Sequence, residues 1–403
     1  MRPSPGGAAT PFGHGARGVA ITALLIVLVG VADVTVVVRR GRSSPPRPPS
    51  ALERVLPELE SFVARERGLP FRRRVDVKLH DDTAFDAAIA KLRARSRGDD
   101  TSPDVLVGLL RALGLVEGRF DPAALDRSID DRILGYYDSQ RDELLVRGDQ
   151  PTPAVRRVLV HELTHALDDQ HFDLDRPELD RGDDEAPSAF AALAEGDAVR
   201  VESRYLDTLP PDERSQADLV TGPAGQAMPS RSEGRSGPTT DVPRVFEALL
   251  AFPYVAGQSF VEALIAAGGT ARVDAAFAEP PATTEAILSP DRYLAGETSE
   301  EIDDPPADGP VVDRGVLGEL LLRLVLMETL DRDTAVQAAA GWRGDRYTAW
   351  SDAGRVCVRD RLVMDTAADR ADVVAGLRRW ADSHPGADVA DAGAGPVMFT
   401  RCG

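Results

Sequence analysis

Polar and apolar positions divide this 403-residue chain into stretches of different period. Gly18 to Val38 (GVAITALLIVLVGVADVTVVV) is apolar almost throughout, broken only by Asp33. At ~1.5 Å per residue such a run can cross a hydrocarbon core. Residues 39–50, ending in GRSSPPRPPS, read as a proline-rich spacer. Helical spacing runs from Ala51 to about Arg67, Phe71 to Leu79 alternates as a strand, and Asp82–Arg95 and Ser102–Leu113 are helical. Two short apolar runs, 133–138 and 143–147, flank the polar turn Ser139-Gln-Arg-Asp142 and predict a β-hairpin. Thr152-Pro153 then caps a new helix, and Pro187-Ser188 opens another that reaches about Leu206.

Beyond that point the pattern lapses. Residues 210–242 are rich in Pro, Gly, Ser, Arg and Asp and read as a flexible loop. Residues 243–268 are helical, with a break expected at Phe252-Pro253. Glu297 to Gly309 is acidic and irregular, and Arg314 to Thr329 reads as a strongly apolar helix. The tail from Tyr347 reads as strand, strand (355–364), helix (368–382) and a short last strand (396–401). The fold class is therefore α+β and helix-rich. The expected organisation is a tail (1–17), a transmembrane or signal segment (18–38), the linker (39–50), a region of helices and hairpin that carries the candidate chemistry (51–209), the loop (210–242), a helical region (243–340) and a small C-terminal α+β element (341–403).

Charge and composition narrow the partners. The net charge of −19 makes the chain a poor ligand for nucleic acid or anionic lipid headgroups. The length of residues 18–38 and the following Arg39-Arg40 favour an uncleaved single-pass anchor over a signal peptide cut after Gly30-Val31-Ala32. The basic residues after this segment would place the body in the cytoplasm, whereas a disulfide would place it outside. The two cysteines, Cys357 and Cys402, are too few for a disulfide scaffold or a cysteine-ligated metal site. They are either separate thiols or one disulfide, and their positions on neighbouring predicted strands let them pair. The reading taken forward is a membrane-anchored, extracytoplasmic body.

The chemistry concentrates in one helix. His161-Glu162-Leu163-Thr164-His165 is an H-E-x-x-H pattern. Residues i and i+4 share a helix face, so both imidazoles can reach one Zn2+ ion, with Glu162 beside them as general base for a metal-activated water. Val155, Val158, Leu159, Leu163 and Ala166 supply the helix's apolar faces.

The run Val160–His171, followed by Leu193-Ala-Glu-Gly-Asp-Ala198, resembles the zincin metallopeptidases and most closely the gluzincins. With the Tyr136-Tyr137-Asp138 hairpin and the Gly341–Tyr347 run (GWRGDRY), the chain also resembles an uncharacterised family of membrane-anchored prokaryotic proteins. The resemblance implies a zincin-like unit of β-hairpin, two-histidine helix and glutamate helix. It further implies zinc as cofactor, a peptide or protein substrate, and a hairpin strand that pairs with extended substrate. Glu195 then supplies the third ligand. His171 is the alternative, at the metzincin spacing, with Asp168 where that group has glycine and only Met228 near enough for a methionine turn.

Other assignments are looser. Asp168, Asp169, Asp197 and Glu202 are candidates to hold a ligand ring N–H. Tyr136, Tyr137 and Tyr205 are candidate donors to a transition-state oxyanion, with core packing as their plainer role. Pro280-Pro-Ala-Thr-Thr-Glu285 suggests a threonine helix cap. The competing functional reading is a zincin-like binding or scaffold protein without activity.

Overall fold

The computed structural model of the chain describes residues 50–96, 103–118, 120–130, 132–179, 185–218, 242–393 and 395–403. The predicted anchor at 18–38, nearly all of the linker, and Met228 lie outside them. The fold is α+β and helix-rich, with two sheets.

The first sheet is small. Strand β1 (Asp76–His80) pairs in parallel with β3 (Glu143–Arg147), which pairs antiparallel with β2 (Gly135–Asp138), so β2 is an edge strand. Alternation sends Tyr137, Leu144 and Val146 to one face, against α1 (Ala51–Arg67) and α5 (Pro153–Phe172). Tyr136 and Leu145 go to the other, against Phe85 and Ile89 of α2 (Asp82–Ser96). The strand expected from Phe71 starts at Asp76 instead. The Gln170 side chain takes the preceding backbone, its Oε1 accepting from Arg72 N at 2.8 Å and Arg73 N at 3.1 Å.

Helix α6 (Glu185–Thr208) packs on α5 and on α8 (Arg244–Gly268). The predicted break in α8 does not occur. Pro253 removes one backbone hydrogen bond, but Leu249, Phe252, Phe260 and Leu264 are buried on both sides of it and hold the helix through. This helix is also long and apolar enough to cross a membrane, yet half of its apolar window is buried inside the protein. The flexible loop expected from 210 begins as a helix, α7 (Pro211–Asp218), tied to α5 by Arg156–Glu213 at 2.6 Å. Residues 219–241 lie outside the described residues.

A second body gathers the C-terminus. Its sheet runs β4 (Val311–Gly315), β5 (Trp342–Asp352), β6 (Arg355–Met364), β8 (Val397–Cys402), β7 (Asp388–Asp391), antiparallel throughout. Helices α12 (Gly318–Met327), α13 (Arg332–Ala339) and α14 (Ala367–Ser383) share one core with its inner face. Leu109, Leu110 and Leu113, in and just after α3 (Pro103–Ala112), join the same core. The expected helix at 314 begins only at Gly318, because Arg314 and Gly315 pair with Thr348 and Tyr347 as strand. Cys357 and Cys402 stand opposite each other on β6 and β8 and form a disulfide.

Candidate metal centre

Helix α5 starts where its sequence predicts. Thr152 accepts from Val155 N at 3.3 Å, and Pro153 occupies the first turn, where its missing N–H costs nothing. The helix continues through Asp168 to Phe172 and ends at Asp173, which has φ 58°. A turn at Asp168 would be needed to bring His171 back, and there is none. His171 instead sets its Nε2 against the Pro70 carbonyl at 2.8 Å.

The carboxylate beside the two imidazoles is Glu195 of α6. His161 Nε2 lies 3.1 Å from Glu195 Oε2 and 3.2 Å from His165 Nε2, and His165 Nε2 lies 3.4 Å from Glu195 Oε2. Tetrahedral zinc with bonds of ~2.0–2.1 Å separates neighbouring ligand atoms by about 3.3–3.4 Å. The donor triangle therefore has the size and the atoms, two imidazole nitrogens and one carboxylate oxygen, that such an ion takes. One other group of potential donors is present among the described residues, Asp352 with Cys357 and Cys402, but its sulfurs are bonded to each other.

Electrostatics favour a cation here. Burial works against charging either imidazole, yet hydrogen bonds and charge from Glu195 and Glu202 outweigh it at His161, and Glu195 outweighs it at His165, so both pKa values rise. Burial would raise Glu195, but the two histidines hold its carboxyl well below the usual carboxylate range. Glu162 is buried beside the triangle, and burial raises its pKa against the pull of His161 and His165. A carboxylate so placed is a stronger base than one in water.

The supporting shell differs in part from the sequence expectation. Glu202, one of four candidates, accepts from His161 Nδ1 at 3.0 Å. A carboxylate can only accept here, so Nδ1 carries a hydrogen, and with an ion bound Nε2 would be the nitrogen left to ligate. Arg157, one turn before His161, donates to the other Glu202 oxygen at 2.5 Å. The remaining candidates serve elsewhere. Asp168 and Asp197 pair with buried Arg67 at 2.9 and 2.5 Å, joining the end of α1 to α5 and α6. Asp169 accepts from the Tyr137 hydroxyl at 2.9 Å.

That contact also corrects the tyrosines. Tyr137 bonds Asp169 and Asp142, Tyr205 stands edge-on to Phe62 with ring centroids 5.4 Å apart, and Tyr136 packs towards α2. None of the three is aimed at the triangle. The tyrosine at the site is Tyr254 of α8. Its ring lies over His161, with centroids 6.4 Å apart, and its phenol lies close enough to Glu195 to feel that carboxylate's charge. Burial, then the charges of Glu195 and Glu162, push its pKa well above the ordinary value, so it stays a donor.

Tyr254 gets there by close helix packing. A Cβ on Gly196 would stand 2.2 Å from the Gly257 carbonyl, and one on Gly257 would stand 1.9 Å from the Ala192 carbonyl. Only glycine at both positions allows α6 and α8 to meet backbone to backbone. Gly135 does the same for β2. A Cβ there would stand 2.8 Å from Glu162 Oε1, so the edge strand starts directly against Glu162.

Residues 309–400 match the model of a domain of unknown function (DUF8575). No curated protein and no solved structure matches the chain. The DUF8575 match coincides with the second body, so α5, α6 and the donor triangle lie outside it. Within the match, the Gly341–Tyr347 run has a structural role. Asp345 accepts from Leu317 N at 2.7 Å, Gly318 N at 2.9 Å and Trp342 Nε1 at 2.7 Å, capping α12 from inside the core. The Pro280–Glu285 run is likewise structural, with Thr283 capping α10 (Thr284–Leu288) and Thr284 N donating to Glu185 at 2.8 Å.

Proposed function

We propose that this chain is a zinc-dependent metallopeptidase, held at a membrane by residues 18–38 with its body on the extracytoplasmic side. What carries the reading is the His161–His165–Glu195 triangle with Glu162 beside it. His161, His165 and Glu195 would hold the ion, which when bound supplies Lewis acidity and lowers the pKa of a water to about 7. Glu162, buried and raised in pKa, takes the proton from the attacking water and delivers it to the leaving amine. Glu202 keeps His161 in the tautomer that ligates. Tyr254, its ring over His161, supplies an O–H donor suited to the oxygen of a substrate carbonyl as charge develops on it.

Peptide as substrate rests on the resemblance together with the edge strand. Strand β2 runs beside Glu162, with Gly135 packed against its side chain, and as the edge strand of its sheet β2 can pair with a second backbone.

The test is zinc analysis with a peptide-library assay on the purified chain. Wild type should bind one equivalent of zinc and cleave. Glu195→Ala should lose the metal, His171→Ala should keep it, and Glu162→Gln should keep metal while losing cleavage. Wild-type protein that takes up no zinc ends this reading. Zinc uptake without cleavage of any peptide makes the chain a binding module instead.

A further inference from the structure

The acidic segment after α11 (Pro290–Ala295) is a strap. It leaves that helix at Gly296, crosses the outer face of the second sheet and enters β4 at Val311. Strand alternation makes that face basic. Tyr347, Ala349, Val358 and Leu362 point to the core, so Arg314, Arg346, Arg359 and Arg361 point away from it. Arg346 stands opposite Arg361, and Arg314 and Arg359 both flank Thr348. Like charges opposed across strands repel, so this face calls for anions.

The strap supplies them in register. Glu300 meets Arg343 at 2.9 Å, Asp304 meets Arg346 at 2.8 Å and Arg314 at 2.9 Å, and Asp308 meets Arg359 at 2.6 Å. Its main chain is read as well. Arg359 donates to the Pro306 carbonyl at 2.6 Å, Arg361 to the Asp303 carbonyl at 3.4 Å, and Glu300 N to the Arg343 carbonyl at 2.8 Å. Pro305 is buried in the contact, and a Cβ on Gly344 would stand 2.4 Å from the Glu300 carbonyl.

Two observations set this apart from ordinary loop packing. The DUF8575 match starts at 309, so nearly the whole strap lies outside the matched domain while the face it covers lies inside. The strap's carboxylates also face solvent, with Glu300, Asp304 and Asp308 each about half exposed or more, and pairs with such groups are individually weak and screened by salt. We propose that the arginine face of the second sheet is a docking surface for an extended acidic peptide of a partner protein, occupied in the free chain by residues 300–308. The occupant is a peptide because two of the arginines bond peptide carbonyls. A long polyanion would meet the repulsion of a chain carrying −19.

A strap tethered at both ends competes at an effective concentration on the order of millimolar. A labelled peptide of residues 297–309 should therefore bind the full chain weakly. It should bind the Asp304→Asn/Asp308→Asn variant at least about tenfold more tightly, and binding should fall with added salt. Adding Arg346→Gln and Arg359→Gln to that variant should abolish the binding. Wild type and opened variant binding alike, or the arginine variant binding as well as its parent, overturns the proposal. So does an oligodeoxythymidine of equal charge that binds as tightly as the peptide. Should the opened variant not fold, hydrogen exchange on wild type decides. Excess peptide should speed exchange in residues 297–310, and unchanged exchange at saturating peptide rejects displacement.

Discussion

Glu202 is the sharpest probe of the proposed centre, because it touches a ligand without being one. Its two oxygens accept from His161 Nδ1 at 3.0 Å and from Arg157 Nε at 2.5 Å, in a buried setting. Glu202→Gln keeps the shape and one acceptor but removes the charge. A charge-assisted hydrogen bond contributes ~1.5–3 kcal/mol and a neutral one ~0.5–1.5 kcal/mol. The loss of about 1–1.5 kcal/mol corresponds to about tenfold in zinc affinity. Glu202→Ala leaves both Nδ1–H and the Arg157 guanidinium without this partner, at ~2–3 kcal/mol, which predicts a loss near the upper end of ~10–100-fold. The assay is competition against a chromophoric chelator, with the melting temperature of the metal-free protein measured alongside. The pH dependence has a defined sign. Glu195 and Glu202 raise the His161 pKa, so protons compete with the ion more strongly in wild type than in the variants. The deficit should be largest above the raised pKa and shrink as pH falls below it. Equal zinc affinity in all three proteins, or a deficit that widens in acid, would refute the assignment of Glu202.

Three further outcomes follow from the packing. Gly257→Ala puts a Cβ 1.9 Å from the Ala192 carbonyl, forcing α8 back by roughly 1 Å, and should cost ~1–3 kcal/mol in urea unfolding while zinc stoichiometry holds, since all three donors lie on α5 and α6. Tyr254→Phe keeps the ring over His161 and removes the hydroxyl, so kcat should fall by about 10²–10³ with zinc content unchanged, and an unaltered kcat would remove Tyr254 from the chemistry. Asp360 is buried against Asp345, and burial followed by that neighbour raises its pKa well above the ordinary value. The folded state thus binds this proton more tightly than the unfolded chain, and its contribution, complete below pH ~3.9, is lost as pH rises through the raised value. Asp360→Asn should flatten that loss in a series of melts from pH 5 to 9, and a slope identical to wild type would show that the pair holds no extra proton.

What the sequence made legible was local. The caps at Thr152 and Thr283, the hairpin turn and the long helices all depend on residues within a few positions of one another. The errors fall where a distant partner decides. Arg314 and Gly315 carry an apolar helical pattern forward into α12, yet β5 claims them as strand. Residues 71–75 alternate, but Gln170 takes their backbone before a strand can. Pro253 reads as a break, and buried residues on both sides of it override the lost hydrogen bond.

The candidate site divides along the same line, and the division says which parts of it are fragile. His161, Glu162 and His165 are placed by the helical repeat alone, so any sequence that keeps α5 helical keeps them together. Glu195 needed a second helix at the right distance, and the sequence offered it only as a choice against His171. The structure sets Glu195 beside the two imidazoles and keeps His171 away, because α5 does not turn at Asp168, where the side chain is occupied by Arg67. Tyr254 was not legible at all, because nothing in an apolar helix marks one tyrosine as facing a histidine on another. Its position follows from Gly196 and Gly257, which let two backbones approach to a distance no other residue pair permits. The donor triangle is therefore set by α5 and α6, while the position of Tyr254 against His161 is set by the α6–α8 contact. Loosening that contact should spare binding of the ion before it spares reaction.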